Sequence, residues 1–231
     1  MPPGSVQAVV TMPRLAFTDN LFCAHQALIP LGIQIERIGG VFWHQSMAEL
    51  FEAHLEDGTR YVLTLDYDTV FKQSDVLDLL RVMETRPEID ALAALQMRRE
   101  EDSPLFAVGR FEGTAPKTVE IPREVVAADT MPVSTAHFGL TLLRTEALRK
   151  LPRPWFHHTP GPDGRWGEGR MDADIQFWHA WKSAGLTLHS SNRVVVGHLE
   201  LCAKWPDGQM RAFWQPVGQY NKDGKPERCW R

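Results

Sequence analysis

The sequence predicts an α/β protein with a mostly parallel central sheet and helices on both faces. Over the first hundred residues, short β-rich runs alternate with segments whose apolar residues recur at helical spacing, and this order is typical of parallel sheets. The run Tyr61–Leu65 is apolar at nearly every position, which favours a strand buried on both faces. With 231 residues, 43% of them hydrophobic, the chain is long enough to bury a core without disulfide bonds.

The elements of the first half are predicted from their periodicity and from the residues at their boundaries. Pro13 ends the first strand and Gly32 ends the first helix. Ser74 is a suitable N-cap for the third helix, and Pro87 follows the end of that helix. The predicted strands cover residues 6–12, 33–38, 61–65 and 89–97, and the predicted helices cover residues 19–31, 46–55 and 74–85.

The second half of the chain is less regular. The segment 157–170 is rich in Gly and Pro and is expected to be a mobile loop. The segment after Leu201 has no clear pattern and receives no assignment. Strands are predicted at 134–144, 186–189 and 193–196, helices at 145–151 and 172–184, and short strands and turns at 103–122.

Composition and charge argue against several classes of protein. The net charge is −4, and the pair Arg98-Arg99 is followed at once by two glutamates, so there is no strong nucleic-acid-binding signature. The cysteines, Cys23, Cys202 and Cys229, are odd in number and far apart, which favours a reducing compartment over a disulfide framework or a zinc motif. No apolar run reaches the length of a membrane span and no signal peptide is evident, so we expect a cytoplasmic location.

Two carboxylates follow the most apolar strand. Asp66 and Asp68 stand at positions i and i+2, and side chains at this spacing point to the same side of an extended segment. Parallel sheets bind ligands at the carboxyl ends of their strands, and paired carboxylates are suitable ligands for Mg²⁺ or Mn²⁺. We interpret Asp66-Tyr67-Asp68 as a metal-binding motif whose metal also contacts a diphosphate. The alternative is an ordinary turn or helix cap, in which aspartate is common.

Three residues of the second half are further candidates for chemistry. His198 follows the strand predicted at 193–196, where a neutral imidazole would complete a metal site or simply form a hydrogen bond at the strand end. Asp172 and Asp174 begin a predicted helix. One of them is a candidate general base for an acceptor hydroxyl, although acids are also favoured there by capping and by the helix dipole.

Four segments, taken together and in this order, resemble the glycosyltransferases of the GT-A fold, especially short members of the inverting family 2. They are the first strand with Pro13, YVLTLDYDTVF, HFGLTLLRTEALRKLPRPWF and MDADIQFWHAWKSAGLTLHSSNRVVVGHLE, spread over residues 6–200. The resemblance implies a GT-A-like nucleotide-binding fold with a smaller mixed sheet on the acceptor side. It also implies a single catalytic domain, 1–231, with a nucleotide-sugar-binding half (1–100), an acceptor and catalytic half (101–200) and a C-terminal tail (201–231).

The resemblance also implies roles for the candidate residues. Asp66, Asp68 and His198 are expected to bind the metal, Mn²⁺ or Mg²⁺, and with Tyr67 the diphosphate of the donor. In the family's acid pair, usually Glu-Asp-x-Asp, the first glutamate is replaced by methionine in this sequence. Asp172 is therefore the expected general base.

The donor nucleotide is expected at the ends of the first two strands, where Thr11, Arg14, Glu36 and Ser46 would contact a UDP- or GDP-sugar. The carboxylate of Glu36 would accept hydrogen bonds from ribose hydroxyls or a base N–H, or else form a surface salt bridge.

Two further residues are candidates on the phosphate or acceptor side. His137 lies where the family often has glycine, and it is expected to contact phosphate or acceptor unless it is a packed histidine. Trp166 is the candidate aromatic platform for an acceptor sugar.

The predicted function is metal-dependent transfer of a sugar from a nucleoside-diphosphate donor to a hydroxyl, with inversion implied by the resemblance. The loop 157–170 is expected to close over the donor. A nucleotidyltransferase is a weaker alternative, because the segment after the first strand has no Gly-rich phosphate loop. A non-catalytic sugar-nucleotide or glycan-binding protein is a second alternative, since Met171 breaks the acid pair. The acceptor is not specified by the sequence.

Overall fold

The computed structural model describes residues 4–13, 15–99, 103–109, 111–112, 115–116, 127–167 and 169–230. Its strands are β1 (Val6–Met12), β2 (Ile35–Gly39), β3 (Tyr61–Leu65), β4 (Thr69–Val70), β5 (Ala91–Leu95), β6 (Phe106–Ala107), β7 (Phe111–Glu112), β8 (Ala115–Pro116), β9 (Thr130–Pro132), β10 (Thr135–Ala136), β11 (Leu140–Arg144), β12 (Leu188–Val195), β13 (Gly197–His198), β14 (Cys202–Pro206) and β15 (Ala212–Pro216). Its helices are α1 (Thr18–Leu28), α2 (Trp43–Ala53), α3 (Gln73–Thr85), α4 (Thr145–Arg149), α5 (Ala173–Ser183) and α6 (Val217–Asp223), and a 3₁₀ turn covers Ile29–Leu31.

Seven strands form the central sheet, in the order β2-β1-β3-β11-β5-β12-β9. β1 pairs in parallel with β2 and β3, and β5 pairs in parallel with β12. β11 runs antiparallel between β3 and β5, and β9 runs antiparallel beside β12. The predicted mostly parallel sheet is therefore confirmed, with one antiparallel strand inserted in its middle. We call the edge at which the parallel strands end the carboxyl edge.

Helices cover both faces of the sheet, as predicted. α1 and α3 pack on one face, where Val10, Leu63 and Leu142 belong to the buried core. α2, α4 and α5 pack on the other face, whose core is rich in aromatic side chains. This two-sided cover leaves the carboxyl edge as the open part of the sheet, which is where α/β proteins bind ligands.

Aromatic packing fixes α5, the helix at whose start the predicted acids lie. Phe177 stacks on Phe156 with ring centroids 4.6 Å apart, and Trp178 stacks on Phe138 at 5.1 Å. The indole Nε1 of Trp178 also donates a 2.6 Å hydrogen bond to the carbonyl of Ala136 in β10. Since each aromatic pair adds about 0.5–1.5 kcal/mol beyond burial, the start of α5 is held firmly against the sheet.

The strand predicted at 134–144 is two strands, β10 and β11. Between them the chain bends at Gly139, whose N–H donates a 2.9 Å hydrogen bond to Nδ1 of His137. A Cβ at Gly139 would lie 2.5 Å from Oγ1 of Thr69, so only glycine permits this close approach.

The two strands predicted at 186–189 and 193–196 form one strand, β12. Its pairing with β5 runs to Ser191 and resumes at Val195 after an irregularity. Asn192 interrupts the alternation in the sequence, but its amide N–H bonds to the carbonyl of Asp129, so the strand continues through it.

The prediction that Ser74 is the N-cap of the third helix is wrong, because the N-cap lies two residues earlier. α3 begins at Gln73, and the N-cap is Lys72. The carboxylate of Asp75 accepts a 2.7 Å hydrogen bond from the N–H of Lys72, which supplies the capping contact that was expected of the serine.

The segment after Leu201, which received no prediction, forms the hairpin β14–β15 followed by α6. The short strands expected at 103–122 are present as β6, β7 and β8, and the other residues of that range from 117 onward lie outside the description. None of the helices in the described ranges is long and apolar enough to cross a membrane.

Candidate functional site

A tight turn at the carboxyl end of β3 carries the two predicted carboxylates. The N–H of Thr69 lies 3.4 Å from the carbonyl of Asp66, so Asp66-Tyr67-Asp68 form a turn and not the extended segment assumed from the sequence. The buried amide of Asn20 in α1 secures this turn by donating to the carbonyls of Asp66 at 2.8 Å and Thr69 at 2.5 Å. Nothing in the local sequence marks Asn20 for this role, so it was not predicted.

Both carboxylates line a cavity of about 520 Å³ at the carboxyl edge, which we call the acidic cavity. Segments that are distant in the chain meet here: the turn after β3, the bend after β10, the start of α5 and β13. Seven of the residues predicted for the site line it, namely Asp66, Tyr67, Asp68, His137, Asp172, Asp174 and His198.

A two-residue strand pairing brings His198 beside the turn. β13 pairs antiparallel with β4, and a Cβ at Gly197 would lie 2.7 Å from Cγ2 of Val70, so glycine permits the close approach. Nδ1 of His198 lies 3.0 Å from the carbonyl of Met97, and Nε2 lies 3.5 Å from Oδ2 of Asp68. Because the carbonyl must accept from Nδ1, Nε2 is the nitrogen available to a metal. Burial lowers the pKa of His198, but the interactions with Asp68 and the carbonyl outweigh it and raise the pKa.

The carboxylates of Asp66 and Asp68 and the imidazole of His198 are suitable ligands for a divalent cation, and the distance between Asp68 and His198 also suits such an ion. In the part of the chain that is described, no group of three or more His, Cys, Asp or Glu side chains forms a site that could bind a metal ion as it stands. The 3.5 Å between Asp68 Oδ2 and His198 Nε2 is close to the separation of about 3 Å between adjacent ligands in an octahedral shell. Burial, and then the charge of Asp68, raise the pKa of Asp66 to about 7, and a bound cation would oppose this rise.

The two acids at the start of α5 have different surroundings. Asp172 is the N-cap residue, and its Oδ1 lies 2.9 Å from Nε of Arg170, so its half-exposed carboxylate forms an ion pair. Burial raises the pKa of Asp174 despite a hydrogen bond from the N–H of Ile175, and the charge of Asp172 adds to the rise. The charge of Asp174 also helps to raise the pKa of Asp66, which couples it to the carboxylates of the turn.

The residues predicted to contact the nucleotide are dispersed. Thr11 is buried near the end of β1, and Arg14 lies outside the described residues. Oε2 of Glu36 lies 3.0 Å from Nε2 of His54, which is the salt-bridge alternative for this glutamate. Ser46 was expected at a helix start, but α2 begins at Trp43 and Ser46 is buried within it.

Of the two residues predicted to contact phosphate or acceptor, His137 is buried and Trp166 is exposed. Nε2 of His137 lies 2.8 Å from the carbonyl of Ala94, and Nδ1 accepts from the N–H of Gly139, so both ring nitrogens bond to the backbone. Burial lowers the pKa of His137 to about 4, which keeps the ring neutral near pH 7. A contact with phosphate would require one of these bonds to break. Trp166 is largely exposed in the loop, with its ring 6.3 Å from that of His158.

Two further cavities lie along the carboxyl edge, one beside the acidic cavity and the other beyond it. The larger one, of about 860 Å³, lies between the loop 15–17 and the C-terminal segment that includes α6, and we call it the edge cavity. It shares Tyr67, Arg98 and Arg99 with the acidic cavity. The other, of about 720 Å³, lies at the ends of β1 and β2 and shares residues 16–17 with the edge cavity. The three cavities therefore form a continuous series.

Two arginines at this edge were not predicted from the sequence. Arg98 and Arg99 follow β5 at its carboxyl end, so the rule that singled out the turn after β3 applied equally to them. Nη1 of Arg99 lies 3.4 Å from Oδ2 of Asp68, which makes the arginine a direct neighbour of the predicted metal ligand. The part played by α6 had no local signal, because it depends on how the C-terminal segment folds back.

Comparison with known proteins supports the fold. No family model matches the sequence, and no curated protein sequence is significantly similar to it. Among solved structures, A197 from STIV is similar with a TM-score of 0.60 and 13% identity, over 91% of this chain and 93% of that chain. GalNAc-T7 with UDP, GalNAc and Mn²⁺ is similar with a TM-score of 0.56 and 11% identity, over 84% of this chain and 43% of that chain.

A third structure, the mannosyltransferase PcManGT from Pyrobaculum calidifontis in complex with GDP-Man and Mn²⁺, gives a TM-score of 0.48 at 11% identity, over 84% of this chain and 56% of that chain. At such identities likeness is informative about the fold alone. The α/β fold expected from the sequence, with a mostly parallel central sheet, helices on both faces and smaller sheets beside it, is confirmed as GT-A-like.

Proposed function

We propose that this chain is a metal-dependent glycosyltransferase, which transfers a sugar from a nucleoside-diphosphate donor to a hydroxyl group of an acceptor. The observation that carries the proposal is the acidic cavity, in which Asp66, Asp68 and His198 meet at the carboxyl edge of a GT-A-like sheet. The structure of GalNAc-T7, which shares this fold, contains UDP, GalNAc and Mn²⁺. We therefore propose a donor of that chemical class for this chain.

The chain's own residues would bind a metal through the oxygens of Asp66 and Asp68 and through Nε2 of His198. The cation, Mn²⁺ or Mg²⁺, would neutralise charge on the departing diphosphate. Asn20 orients the turn by binding its carbonyls, and the Met97 carbonyl orients the imidazole, so both support the geometry without contacting the donor.

We propose that the nucleotide of a UDP- or GDP-sugar occupies the edge cavity and that its sugar enters the acidic cavity. The edge cavity, at about 860 Å³, is within the range of about 300–1,000 Å³ that is usual for small-ligand sites. Tyr67 lines both cavities, so a donor that spans them would carry its diphosphate past this residue. The third cavity, at the ends of β1 and β2, offers further room beside the base.

We propose Asp174 as the general base, in place of Asp172, which the resemblance implies. A base works best with a pKa close to the pH of the reaction, and the pKa of Asp174 is raised by burial. Asp172, by contrast, is engaged by Arg170. Asp174 would take the proton of the acceptor hydroxyl as that oxygen attacks the anomeric carbon, with inversion in a single displacement.

The loop 157–170 is proposed to close over the bound donor. Two hydrogen bonds between Thr159 and Met171, at 3.0 and 2.8 Å, tie the ends of the loop together next to α5. His158 lines the acidic cavity beside this tie. Movement of the loop would therefore change the mouth of the cavity while the acids of α5 stay in place.

The proposal is tested by incubating the protein with a panel of UDP- and GDP-sugars and Mn²⁺ and measuring released UDP or GDP, with and without a panel of hydroxyl acceptors. Release that is abolished by EDTA and by Asp68→Asn is expected. Asp78→Asn is the matched control, because Asp78 lies on the exposed side of α3 in an ion pair with Arg81. Donor binding without release would indicate a sugar-nucleotide-binding protein instead, and absence of donor binding would refute the proposal.

A further inference from the structure

Arg99 competes for the carboxylate that is proposed to bind the metal. Its Nη1 lies 3.4 Å from Oδ2 of Asp68, the same oxygen that lies 3.5 Å from Nε2 of His198. The side chain of Asp68 is only 3% exposed, whereas that of Arg99 is 46% exposed. A buried carboxylate needs a positive partner, and the more exposed partner is the one that can leave without unfolding the site.

A metal and Arg99 cannot both occupy this position. A divalent cation bound to Oδ2 of Asp68 would use the oxygen that Arg99 now approaches, and the two positive charges would repel each other at close range. His198 differs from Arg99 in this respect, because it can turn from neighbour to ligand through Nε2. Arrival of a metal would therefore displace the arginine and retain the histidine.

The guanidinium of Arg99 lies on the path proposed for the donor. Arg99 lines both the edge cavity and the acidic cavity, and so lies at the boundary that the donor diphosphate is proposed to cross. Guanidinium groups bind phosphate oxygens through paired, charge-assisted hydrogen bonds. The same residue is thus placed to neutralise a carboxylate before ligand binding and a diphosphate after it.

We propose that Arg99 is an exchangeable counter-ion: it pairs with Asp68 in the metal-free protein and, once a divalent metal binds Asp68, it binds the diphosphate of the donor. This inference rests on the proposed function. If Arg99 exchanges partners in this way, it weakens the binding of the metal alone and strengthens the binding of the metal and the nucleotide together. Each ligand would then increase the affinity of the protein for the other.

The experiment measures two affinities of the Arg99→Ala variant, with opposite expected changes. Mn²⁺ alone, titrated by electron paramagnetic resonance of the free ion, should bind about two- to fivefold more tightly, which corresponds to the loss of one partly exposed ion pair. UDP or GDP in the presence of saturating Mn²⁺, titrated by calorimetry, should bind about tenfold more weakly or worse, because a charge-assisted contact is lost.

Two further variants make the result specific. Arg99→Lys keeps the charge but loses the planar fork, so its nucleotide affinity should lie between those of the wild type and Arg99→Ala. Arg81→Ala removes an exposed arginine that pairs with Asp78 on α3, and both affinities should equal those of the wild type. Circular dichroism and thermal unfolding verify that each variant is folded.

Each outcome decides part of the proposal. Unchanged or weaker Mn²⁺ binding by Arg99→Ala would overturn the exchange at Asp68. Tighter Mn²⁺ binding with unchanged UDP and GDP affinity would overturn the diphosphate contact. If the wild type binds Mn²⁺ but neither nucleotide, the proposed function and the diphosphate contact fail together, whereas the Mn²⁺ titration still decides whether Arg99 opposes the metal.

Discussion

Replacing Asp66 with asparagine is expected to stabilise the metal-free protein and to impair metal binding. Burial, followed by the charge of Asp68, raises the pKa of Asp66 from 3.8 to about 7. At 1.36 kcal/mol per pH unit, this rise corresponds to about 4 kcal/mol of folding free energy that the ionised carboxylate costs at pH 8. Asparagine keeps the size of the side chain and carries no charge, so the variant should recover much of that cost.

The stability difference between Asp66→Asn and the wild type should depend on pH. A carboxylate whose pKa is raised by folding contributes stability that is fully present below about pH 4 and is lost as the pH rises through about 7. The advantage of Asp66→Asn over the wild type should therefore grow by about 2–3 kcal/mol between pH 5 and pH 8. Urea unfolding in EDTA at both pH values measures it. Addition of Mn²⁺ at 100 times its Kd should stabilise the wild type by about 2.7 kcal/mol and the variant by less.

Two results would refute this reasoning. One is an Asp66→Asn variant that is less stable than the wild type at pH 8 in EDTA. The other is a stability difference that does not change with pH. Asp78→Asn serves as the control, because this exposed aspartate of α3 has only a surface ion pair to lose, and its effect should stay within about 1 kcal/mol at both pH values.

Three other predictions concern the same site. Asp174→Asn should reduce kcat by about 10²- to 10⁴-fold, whereas Asp172→Asn, which loses an exposed ion pair with Arg170 and a 3.9 Å contact with His158, should reduce it far less; steady-state kinetics that show the reverse order would make Asp172 the base. His198→Ala should weaken Mn²⁺ binding in a paramagnetic resonance titration more than it lowers Tm, and a large fall in Tm with unchanged Mn²⁺ affinity would assign the histidine a structural role. A UDP- or GDP-sugar with Mn²⁺ should slow amide hydrogen exchange across residues 157–170, and equal exchange with and without the donor would contradict a lid.

Elements with strong local patterns were predictable from the sequence. The strand Tyr61–Leu65 has the predicted bounds because an unbroken apolar run fits only a strand that is buried on both faces. The meeting of Asp68 and His198 was predictable as well. Parallel strands end at one edge of a sheet, so residues that follow such strands gather there whatever their distance in the chain.

Features that depend on distant pairing were not predictable from the sequence. In the sequence, β11 follows β10 without a visible break. Its position between β3 and β5 depends on pairing with these distant strands and on the bend at Gly139. The difference between Asp172 and Asp174 also escapes a helical-wheel argument. Both acids favour the start of a helix. They differ because Asp172 forms an ion pair with Arg170, whereas burial raises the pKa of Asp174.

The pairing of β13 with β4 also determines when the site is completed during synthesis. The turn after β3 leaves the ribosome well before His198, so Asp68 is synthesised before the histidine that lies beside it in the folded chain. A chain that stops before residue 197 lacks β13 altogether, and with it the contact between Met97 and the imidazole. Unfinished translation products would therefore carry the carboxylates without the complete site, and any activity that depends on that site would begin only after β13 has been made.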